Sequence, residues 1–403
     1  MLTAPQVSRE LILRTPLKQP IVERRHVAPA LHPRLANILD RLATVAPTNI
    51  GFPTAVDIDY RPLAPFLRYM INNVGGPEGD TTYPAHVKDL ERDVLDWFAA
   101  LFQAPPGWTG YLTSGGTEGT LHGLLNARDG CPEAIVYAST ASHYSVKKAC
   151  DLLGLPLVKI ASDAHGRMDC ERLRHELSRR GHQPAIVVAT IGTTMTEAVD
   201  IVPDIRAAIE AARVQRSWIH ADAALSGLPR ALSGRHDFDL AGGCADSLSI
   251  SGHKWWGAPI PCGAALIRRP PRRRGRRIDY IGCCDSTISG SRAGLAAVML
   301  WHAITRHDVA GHRRRVERAR DVASYALRKL TDIRWECWRN PDALTIMLKP
   351  LPDVLRDRWR LPIAGGWSHL ICMPGVERQA VDALTSELST SNESLLRMRG
   401  FVD

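Results

Sequence analysis

Long apolar runs are missing from this chain of 403 residues. A membrane-spanning helix needs about 20 consecutive apolar residues, and no stretch of the sequence approaches that length. Residues 1–5 also lack the charged region and following apolar stretch that mark a secretory signal. We therefore expect no membrane-spanning helix and no secretion, and we expect a cytoplasmic location.

Paired cysteines are missing as well. The nine cysteines, an odd number, lie between Cys131 and Cys372 without a C-x-x-C pair and without histidines at metal-ligand spacing. Disulfide frameworks usually have an even number of cysteines, and zinc sites need clustered ligands. The pattern indicates reduced thiols and predicts no metal site.

Negative charge is in deficit, because 51 lysines and arginines face 42 acidic residues. Seven arginines fall within residues 268–277, which is compatible with a nucleic-acid-binding protein. The same run contains Pro270, Pro271 and Gly275 and no aromatic residue, so a solvated loop is the better interpretation. A third alternative is that some of these arginines border an active site and attract carboxylates. We expect no nucleic-acid partner.

The apolar content of 45% is enough for one large domain and a smaller one. Residues 1–48 are rich in proline and arginine, with one helical stretch at 33–43, and are predicted to form an N-terminal arm. Residues 49–293 form the predicted large domain. Residues 294–403 form a predicted small α+β domain.

Short apolar runs alternate with amphipathic stretches in the large domain, which predicts an α/β fold with a mostly parallel sheet flanked by helices. Six of the seven runs end in a polar or glycine-rich turn, and in such sheets functional sites form at the carboxyl ends of strands. The predicted strands are 111–112, 134–138, 157–160, 185–190, 217–220, 247–251 and 263–268. The small domain has a predicted helix at 294–307 and strands at 344–348 and 369–373.

The turn after the first predicted strand, residues 113–119, reads Thr-Ser-Gly-Gly-Thr-Glu-Gly and precedes a helical pattern. Glycines let the backbone approach an anion, and a helix N-terminus offers free N–H groups. The turn therefore fits a phosphate site, although a tight turn without a ligand explains the glycines equally well.

Two further strand ends carry ring-binding candidates. His143 follows the second strand, where it could stack on a flat cofactor or cap the next helix. Asp222 lies between small residues at the end of an apolar strand. A buried carboxylate needs a positive partner, such as a pyridinium nitrogen or an arginine. The alternative for Asp222 is a helix N-cap.

Lys254 follows the sixth strand, and Trp255 and Trp256 come directly after it. A desolvated lysine has a lowered pKa and attacks carbonyls, as a Schiff base requires. A solvated surface lysine is the ordinary alternative, but two tryptophans make that role a poor fit. Asp222 and Lys254 end consecutive strands on one sheet edge, so both could hold a single cofactor whose phosphate lies on the glycine turn.

Nine motifs carry a resemblance to a known family. In these motifs the chain resembles the group II pyridoxal-phosphate (PLP) dependent amino-acid decarboxylases of fold type I, and most closely their bacterial histidine decarboxylase and plant serine decarboxylase branch. The motifs are NIGFP at 49–53, INN at 71–73, GTEG at 116–119, HYSV at 143–146, IGTT at 191–194, IHADAAL at 219–225, SGHK at 251–254, PIPCG at 259–263 and TISGSR at 287–292.

The resemblance implies a role for each of these residues. Lys254 would hold the cofactor as a Schiff base, Asp222 would pair with its pyridinium nitrogen, and the ring would lie between His143 and Ala224. Thr193 would lie near the ring oxygen. The phosphate would be held by Gly116, Thr117, Ser251 and His253. The resemblance also implies a homodimer with shared active sites.

Substrate residues are less well marked. Tyr60, Asn72 and Tyr83 are candidates for the pocket, with ordinary packing as the alternative for the tyrosines. Tyr280 is a candidate for reprotonating the product carbon. Arg292 would orient the substrate carboxylate or form a structural ion pair.

The chain departs from its near relatives around the expected pocket. It has Thr81-Thr82-Tyr83 and then His86-Val87 where relatives tend to carry Ser-Asn-Tyr and a His- or Asn-Ser pair, and Thr120 where they carry asparagine. We expect decarboxylation of an L-α-amino acid, histidine first and serine second. One alternative is another PLP reaction on an unusual amino acid, either oxidative deamination coupled to decarboxylation or a lyase step. The other is a basic, nucleic-acid-associated or scaffolding protein that has lost catalysis. Lys254, Asp222 and His143 together argue against the last.

Overall fold

A computed structural model of the chain describes residues 31–79, 81–270 and 276–398. The described residues fall into two units, of which the first ends at residue 46 and the second begins at residue 47. The described part of the first unit is helix α1, Pro33–Val45. His32 caps it by accepting the N–H of Arg34, and a proline in the first turn suits the helix start. Its apolar side chains at helical spacing are all exposed: Leu35, Ile38, Leu39 and Leu42.

The second unit is built on a seven-stranded sheet with the order β1-β7-β6-β5-β4-β2-β3. Strands β3, β2, β4, β5 and β6 are parallel, and β7 is antiparallel to both of its neighbours. The prediction of a mostly parallel sheet is therefore confirmed. The strands are β1 Thr109–Thr113, β2 Ile135–Ser139, β3 Leu157–Ile160, β4 Ala185–Thr190, β5 Ser217–Asp222, β6 Ser247–Ser251 and β7 Gly263–Ile267.

The central strands are buried on both faces, which is why they read as continuous apolar runs rather than as alternating ones. Along β4, Ala185, Val187 and Ala189 point into the main core, whereas Ile186 and Val188 point into a smaller core on the other face. This alternation follows from the two-residue period of a strand.

Helices cover both faces of the large sheet, and further helices lie in the C-terminal part of the second unit. Several begin at a residue that caps them, as Asp169 does for α5 and Asp308 for α10 by accepting first-turn N–H groups. The helices are α2 Lys88–Leu101, α3 Gly116–Gly130, α4 Tyr144–Leu153, α5 Cys170–Ser178, α6 Val202–Ala211, α7 Gly227–Leu232, α8 Gly252–Trp255, α9 Gly294–Thr305, α10 Val309–Asp332, α11 Asp353–Trp359 and α12 Arg378–Met398.

Two smaller sheets follow the large one in the chain. A two-stranded hairpin consists of β8 Arg276–Ile278 and β9 Cys283–Asp285. A four-stranded antiparallel sheet has the order β10-β11-β13-β12 and a core of its own. Its strands are β10 Cys337–Trp338, β11 Thr345–Leu348, β12 Ile363–Ala364 and β13 Trp367–Ile371.

Several predictions concern boundaries and placement. The division between large and small domains at 293 and 294 stays a prediction, and α9, predicted to open the small domain, adds Ala297 and Leu300 to the main core. Most of the predicted N-terminal arm and residues 271–275 of the arginine run lie outside the described residues. Within the described ranges, no helix combines the length and apolarity needed to cross a membrane.

Candidate active site

A cavity of about 780 Å³ opens where β4, β5 and β6 end and where the turn after β1 leads into α3. Strand ends of a parallel sheet meet at one edge, so the turns after them converge. The cavity is lined by Gly51, Phe52, Pro53, Ser114, Gly115, Gly116, Thr117, Glu118, Leu121, His143, Tyr144, Ser145, Lys148, Ala149, Leu152, Thr190, Gly192, Thr194, Met195, Asp222, Ala224, Leu225, Ser251, His253, Lys254, Pro261, Ile288, Ser289, Pro362, His369 and Ile371.

Lys254 lies in the short helix α8, three residues after the end of β6. Burial lowers the pKa of its ammonium group, and the negative charge of Asp222 partly opposes this shift. Trp255 and Trp256 are fully buried behind it. The lysine therefore faces the cavity, and a lowered pKa increases its fraction of nucleophilic neutral amine.

The backbone around Lys254 is fixed from outside the turn. The carbonyl of Lys254 accepts the N–H of Ala55 at 2.9 Å, and the carbonyl of Trp256 accepts the hydroxyl of Tyr60 at 2.8 Å. Tyr60, predicted as a pocket residue, thus supports the lysine turn and is not on the cavity wall.

Asp222 is the last residue of β5, so this strand runs two residues further than predicted. It is buried, and its Oδ1 accepts the N–H of Ala224 at 3.3 Å. Helix α7 begins only at Gly227 with Ser226 as its cap residue, which removes the N-cap interpretation of Asp222. Its carboxylate is therefore placed to bind a positively charged group in the cavity.

His143 combines both roles considered for it. Its Nδ1 accepts the N–H of Ser145 at 3.2 Å and so caps α4, while the ring lines the cavity. Burial lowers the pKa of His143, with Asp222 raising it and Lys254 lowering it further. These mutual influences mean that the imidazole, the carboxylate and the amine lie within electrostatic reach of one another.

The glycine turn forms part of the cavity wall. A side chain at Gly116 would place its Cβ 2.8 Å from the hydroxyl of Ser251 and 3.2 Å from the Cβ of Ala224. Gly115 has φ of 136°, and a Cβ there would lie 3.5 Å from His253 Cε1. Only glycine leaves room at this point, where the N-terminus of α3 can hold an anion.

These residues fit pyridoxal 5'-phosphate. The cavity joins an amine of lowered pKa, a buried carboxylate, a flat imidazole and a glycine-lined anion cradle. Eight of the nine predicted cofactor residues line it, namely Gly116, Thr117, His143, Asp222, Ala224, Ser251, His253 and Lys254.

Thr193 is the ninth, and the structure does not place it on the wall. Its hydroxyl lies 2.8 Å from that of Thr196 and accepts the N–H of Ala198 at 3.0 Å. The adjacent Thr194 lines the cavity instead. In an irregular loop, facing changes from residue to residue without a fixed period, so the sequence could not choose between the two threonines.

The other predicted substrate residues lie away from the cavity of their own chain. Asn72 contacts Ser291 and Arg292, the hydroxyl of Tyr83 donates to the carbonyl of Met70, and Tyr280 is 83% exposed. Arg292 is buried, forms an ion pair with Glu91, donates to the carbonyl of Gly75 and lies over the ring of Tyr111. Of the two roles considered for Arg292, its contacts favour the structural ion pair.

Some wall residues were not singled out from the sequence. Glu118 accepts hydrogen bonds from Ser114, Tyr111 and Ser289, which ties the glycine turn to the segment before α9. His369 reaches the wall from β13. Glu118 and Ser289 belong to recognised motifs and could have been noted, whereas no local pattern marks His369.

Comparisons with known proteins agree with this chemistry. A family profile described as pyridoxal-dependent decarboxylase conserved domain matches residues 63–334. A histidine decarboxylase from Mesorhizobium japonicum is 40% identical over 85% of this chain and 93% of its own length. Serine decarboxylase 2 from Oryza sativa subsp. japonica is 34% identical over 91% of this chain and 79% of its own length.

Several solved structures match over most of both chains. Among them is L-methionine decarboxylase from Streptomyces sp.590, with a TM-score of 0.81 and 24% identity over 88% of this chain and 94% of that one. At this identity the likeness concerns the fold alone, and it is the fold type I architecture expected from the sequence.

Proposed function

The chain belongs to the family of pyridoxal-dependent decarboxylases, and on that premise we propose that its substrate is L-histidine, with L-serine as the second candidate. The enzyme is a PLP-dependent amino-acid decarboxylase. The observation that carries the choice of histidine is the 40% identity to a histidine decarboxylase over 93% of that protein, against 34% over 79% for serine decarboxylase 2.

The cofactor residues have proposed roles that follow from their positions. Lys254 would hold the cofactor covalently, and Asp222 would keep a proton on the ring nitrogen. His143 and Ala224 would contact the two ring faces, and Thr194 would take the place near the ring oxygen that the resemblance implied for Thr193. The phosphate would lie on Gly116, Thr117, Ser251 and His253. Bound PLP supplies an electron sink for the pair released when the carboxylate leaves.

The experiment that tests the substrate is release of carbon dioxide with added PLP across all proteinogenic amino acids, 2,4-diaminobutyrate and ornithine. We expect release from histidine by the wild type and none by Lys254→Ala. Lys147→Ala is the matched control, since this exposed lysine pairs with Asp151 and is not on the cavity wall.

Product analysis separates the remaining outcomes. An amine supports simple decarboxylation, whereas an aldehyde or keto acid indicates oxidative deamination or another PLP reaction. Release from serine and not from histidine would replace the first candidate by the second. No release from any substrate by an enzyme that binds PLP would overturn both.

We also propose a homodimer in which each active site uses both subunits. Tyr280 is exposed beside the β8–β9 hairpin and does not line its own cavity. In a dimer with shared sites this tyrosine could reach the partner's cavity and reprotonate the product carbon. Large apolar side chains also remain exposed around the cavity: Phe52, Tyr144, Leu152 and Ile288.

Hybrid dimers test this arrangement. Lys254→Ala and Tyr280→Phe should each be inactive, and subunits of the two variants mixed after dissociation should regain about a quarter of wild-type activity, because half of the dimers then carry one intact site. No recovery in hybrids shown to form would mean that the tyrosine does not act across the interface. A monomer in sedimentation would overturn the dimer itself.

A cytoplasmic location is the proposal that fits the cysteines. All nine are free thiols in the structure, as expected in a reducing compartment. Thiol titration of denatured protein isolated under conditions that prevent oxidation should therefore count nine, and a smaller count that rises on reduction would contradict this.

A further inference from the structure

Glu197 combines two features that are costly in a folded protein. Its backbone has φ of 52°, in the left-handed region that favours glycine, and its side chain is buried, with 4% of the residue exposed. Within the described residues, its carboxylate forms no ion pair. Burial raises the pKa of Glu197, although hydrogen bonds to its carboxylate oppose this. Strain of this kind persists only where the surroundings hold it.

Four hydrogen bonds converge on the Glu197 carboxylate. The hydroxyl of Ser226 donates to Oε1 at 2.8 Å. Oε2 accepts the N–H groups of Leu344 and Thr345, both at 2.8 Å, and the hydroxyl of Thr345 at 2.7 Å. One side chain therefore joins the loop 192–197 both to the turn after β5 and to the start of β11.

Two of the three joined segments border the cavity, and the third is paired with a strand that does. The loop contributes Thr194 and Met195, and the turn after β5 contributes Ala224 and Leu225 directly after Asp222. Strand β11 does not line the cavity. Its Thr345 pairs with Ile371 of β13, and Ile371 does line the cavity. The carboxylate thus links two segments of the cavity wall to the sheet that contributes Ile371 to it.

The same loop has two further anchors from the C-terminal sheet region. The amide of Asn340 donates to the carbonyl of Thr196 at 2.9 Å, and His369 Nδ1 lies 2.8 Å from the carbonyl of Met195. Asn340 and His369 therefore attach the loop only to the region of the C-terminal sheet. Glu197 differs because its carboxylate also holds the β5 turn that carries Asp222 and Ala224.

We propose that Glu197 is a positioning residue of this decarboxylase. Its carboxylate sets the spacing between the β5 turn and the loop, so that Asp222 and Ala224 meet the cofactor ring while Thr194 and Met195 form the adjoining wall. This inference rests on the proposed roles of the cofactor residues. It does not depend on which amino acid is the substrate.

Three substitutions at Glu197 separate hydrogen bonding from backbone strain. Glu197→Gln can keep all four contacts, with the amide oxygen at the Oε2 position and the amide N–H facing Ser226. Glu197→Ala loses all four, and Glu197→Gly loses them while relieving the left-handed backbone. Glu133→Gly is the matched control, because Glu133 also has positive φ, 62°, but is exposed and far from the cavity wall.

The readouts are the dissociation constant for PLP and the visible absorption spectrum of the bound cofactor. We expect Glu197→Ala and Glu197→Gly to shift the absorption band and to weaken PLP binding by about tenfold or more, the size of effect that loss of supporting contacts has at metal sites. Glu197→Gln should stay within about threefold of the wild type, and Glu133→Gly should be unchanged.

A purely structural role predicts a different pattern. Folded Glu197→Ala with wild-type PLP affinity and spectrum, and only a lower melting temperature, would overturn the proposal. So would a glutamine variant as impaired as the alanine one. Both readouts concern bound PLP and need no substrate. A failure of histidine as the substrate can therefore be told apart from a failure of this proposal.

A second pair of variants covers the case in which Glu197→Ala does not fold. Thr345→Val and Ser226→Ala each remove one hydroxyl from the carboxylate and keep Glu197 in place. Combined, they should weaken PLP binding by about threefold or more, whereas Thr345→Ser should match the wild type. Wild-type PLP affinity in the double variant would also overturn the proposal.

Discussion

At the residue scale, the cavity depends on a few side chains whose ordinary properties are altered by their surroundings. Burial lowers the pKa of both Lys254 and His143, and the charge of Asp222 acts against both shifts. An amine of lowered pKa can react with a carbonyl near neutral pH, whereas a solvated lysine is almost fully protonated there. The chemistry of this site therefore begins with desolvation at the strand ends.

Arg292 belongs to the same scale, and its structural role leads to a prediction. Removing one partner of a buried ion pair leaves an uncompensated charge and costs about 3–5 kcal/mol. Arg292→Met should therefore lower the free energy of unfolding by about that amount in urea titrations, because Glu91 is left buried without its partner.

A surface ion pair provides the control for Arg292→Met. Arg235→Met removes a surface ion pair with Asp342 and should cost no more than about 1 kcal/mol. In a folded Arg292→Met enzyme, KM should stay close to the wild-type value. A large rise in KM with little loss of stability would return Arg292 to the substrate-binding role.

At the element scale, the short helix α8 places Lys254, and the residues that follow it have little freedom. Gly257 has φ of 59°, and a Cβ there would lie 1.8 Å from the carbonyl oxygen of Ala55. The N–H of Ala55 also donates to the carbonyl of Lys254, so a shift of the backbone at Ala55 moves the backbone at Lys254. Close approach of two backbones explains why glycine stands at this position.

Gly257→Ala tests this packing. We expect it to lower the melting temperature strongly and to reduce PLP binding, because the clash acts on the turn that carries Lys254. Gly234→Ala is the matched control, since Gly234 has φ of 76° with open space around it and should cost only about 1 kcal/mol of backbone strain. Equal losses in the two variants would mean that strain, and not the contact with Ala55, fixes the turn.

At the scale of the whole molecule, two buried histidines, His220 in β5 and His122 in α3, make stability depend on pH. Burial lowers the pKa of His220 to about 3 and that of His122 to about 4. The unfolded chain binds these protons near pH 6.5 and the folded chain does not, so stability falls as the pH drops below about 6.5. For His220 alone the loss grows to about 4–5 kcal/mol near pH 3.

His220→Gln tests this contribution. Between pH 6.5 and 4, the free energy of unfolding of the variant should fall less steeply with decreasing pH than that of the wild type. At pH 7 the variant is less stable, because the contacts of His220 with Ser247 and Ser249 are lost. His182→Gln, at an exposed histidine, should keep the wild-type slope. Parallel pH slopes for wild type and His220→Gln in thermal unfolding would show that His220 is not the group involved.

The sequence predicted much of this architecture because the relevant signals are local. Apolar runs bounded by turn residues located all seven strands of the large sheet, with ends that differ by up to two residues. Parallel strands bring their carboxyl ends to one edge, so the sequence alone predicts that Asp222 and Lys254 lie at the same edge. The glycine at 116 indicated a close approach to its neighbours, and in the structure a side chain there would meet Ser251 and Ala224.

Only the tertiary structure decided the contacts between distant segments. The choice of Thr194 over Thr193, the pairing of Arg292 with Glu91, and the presence of His369 on the wall depend on how loops and sheets pack. Glu197 meets Ser226 and Thr345 across long stretches of chain for the same reason. Periodicity and turn chemistry fix where an element begins and which face it buries, whereas the partner of a buried polar group is selected by packing of the whole chain.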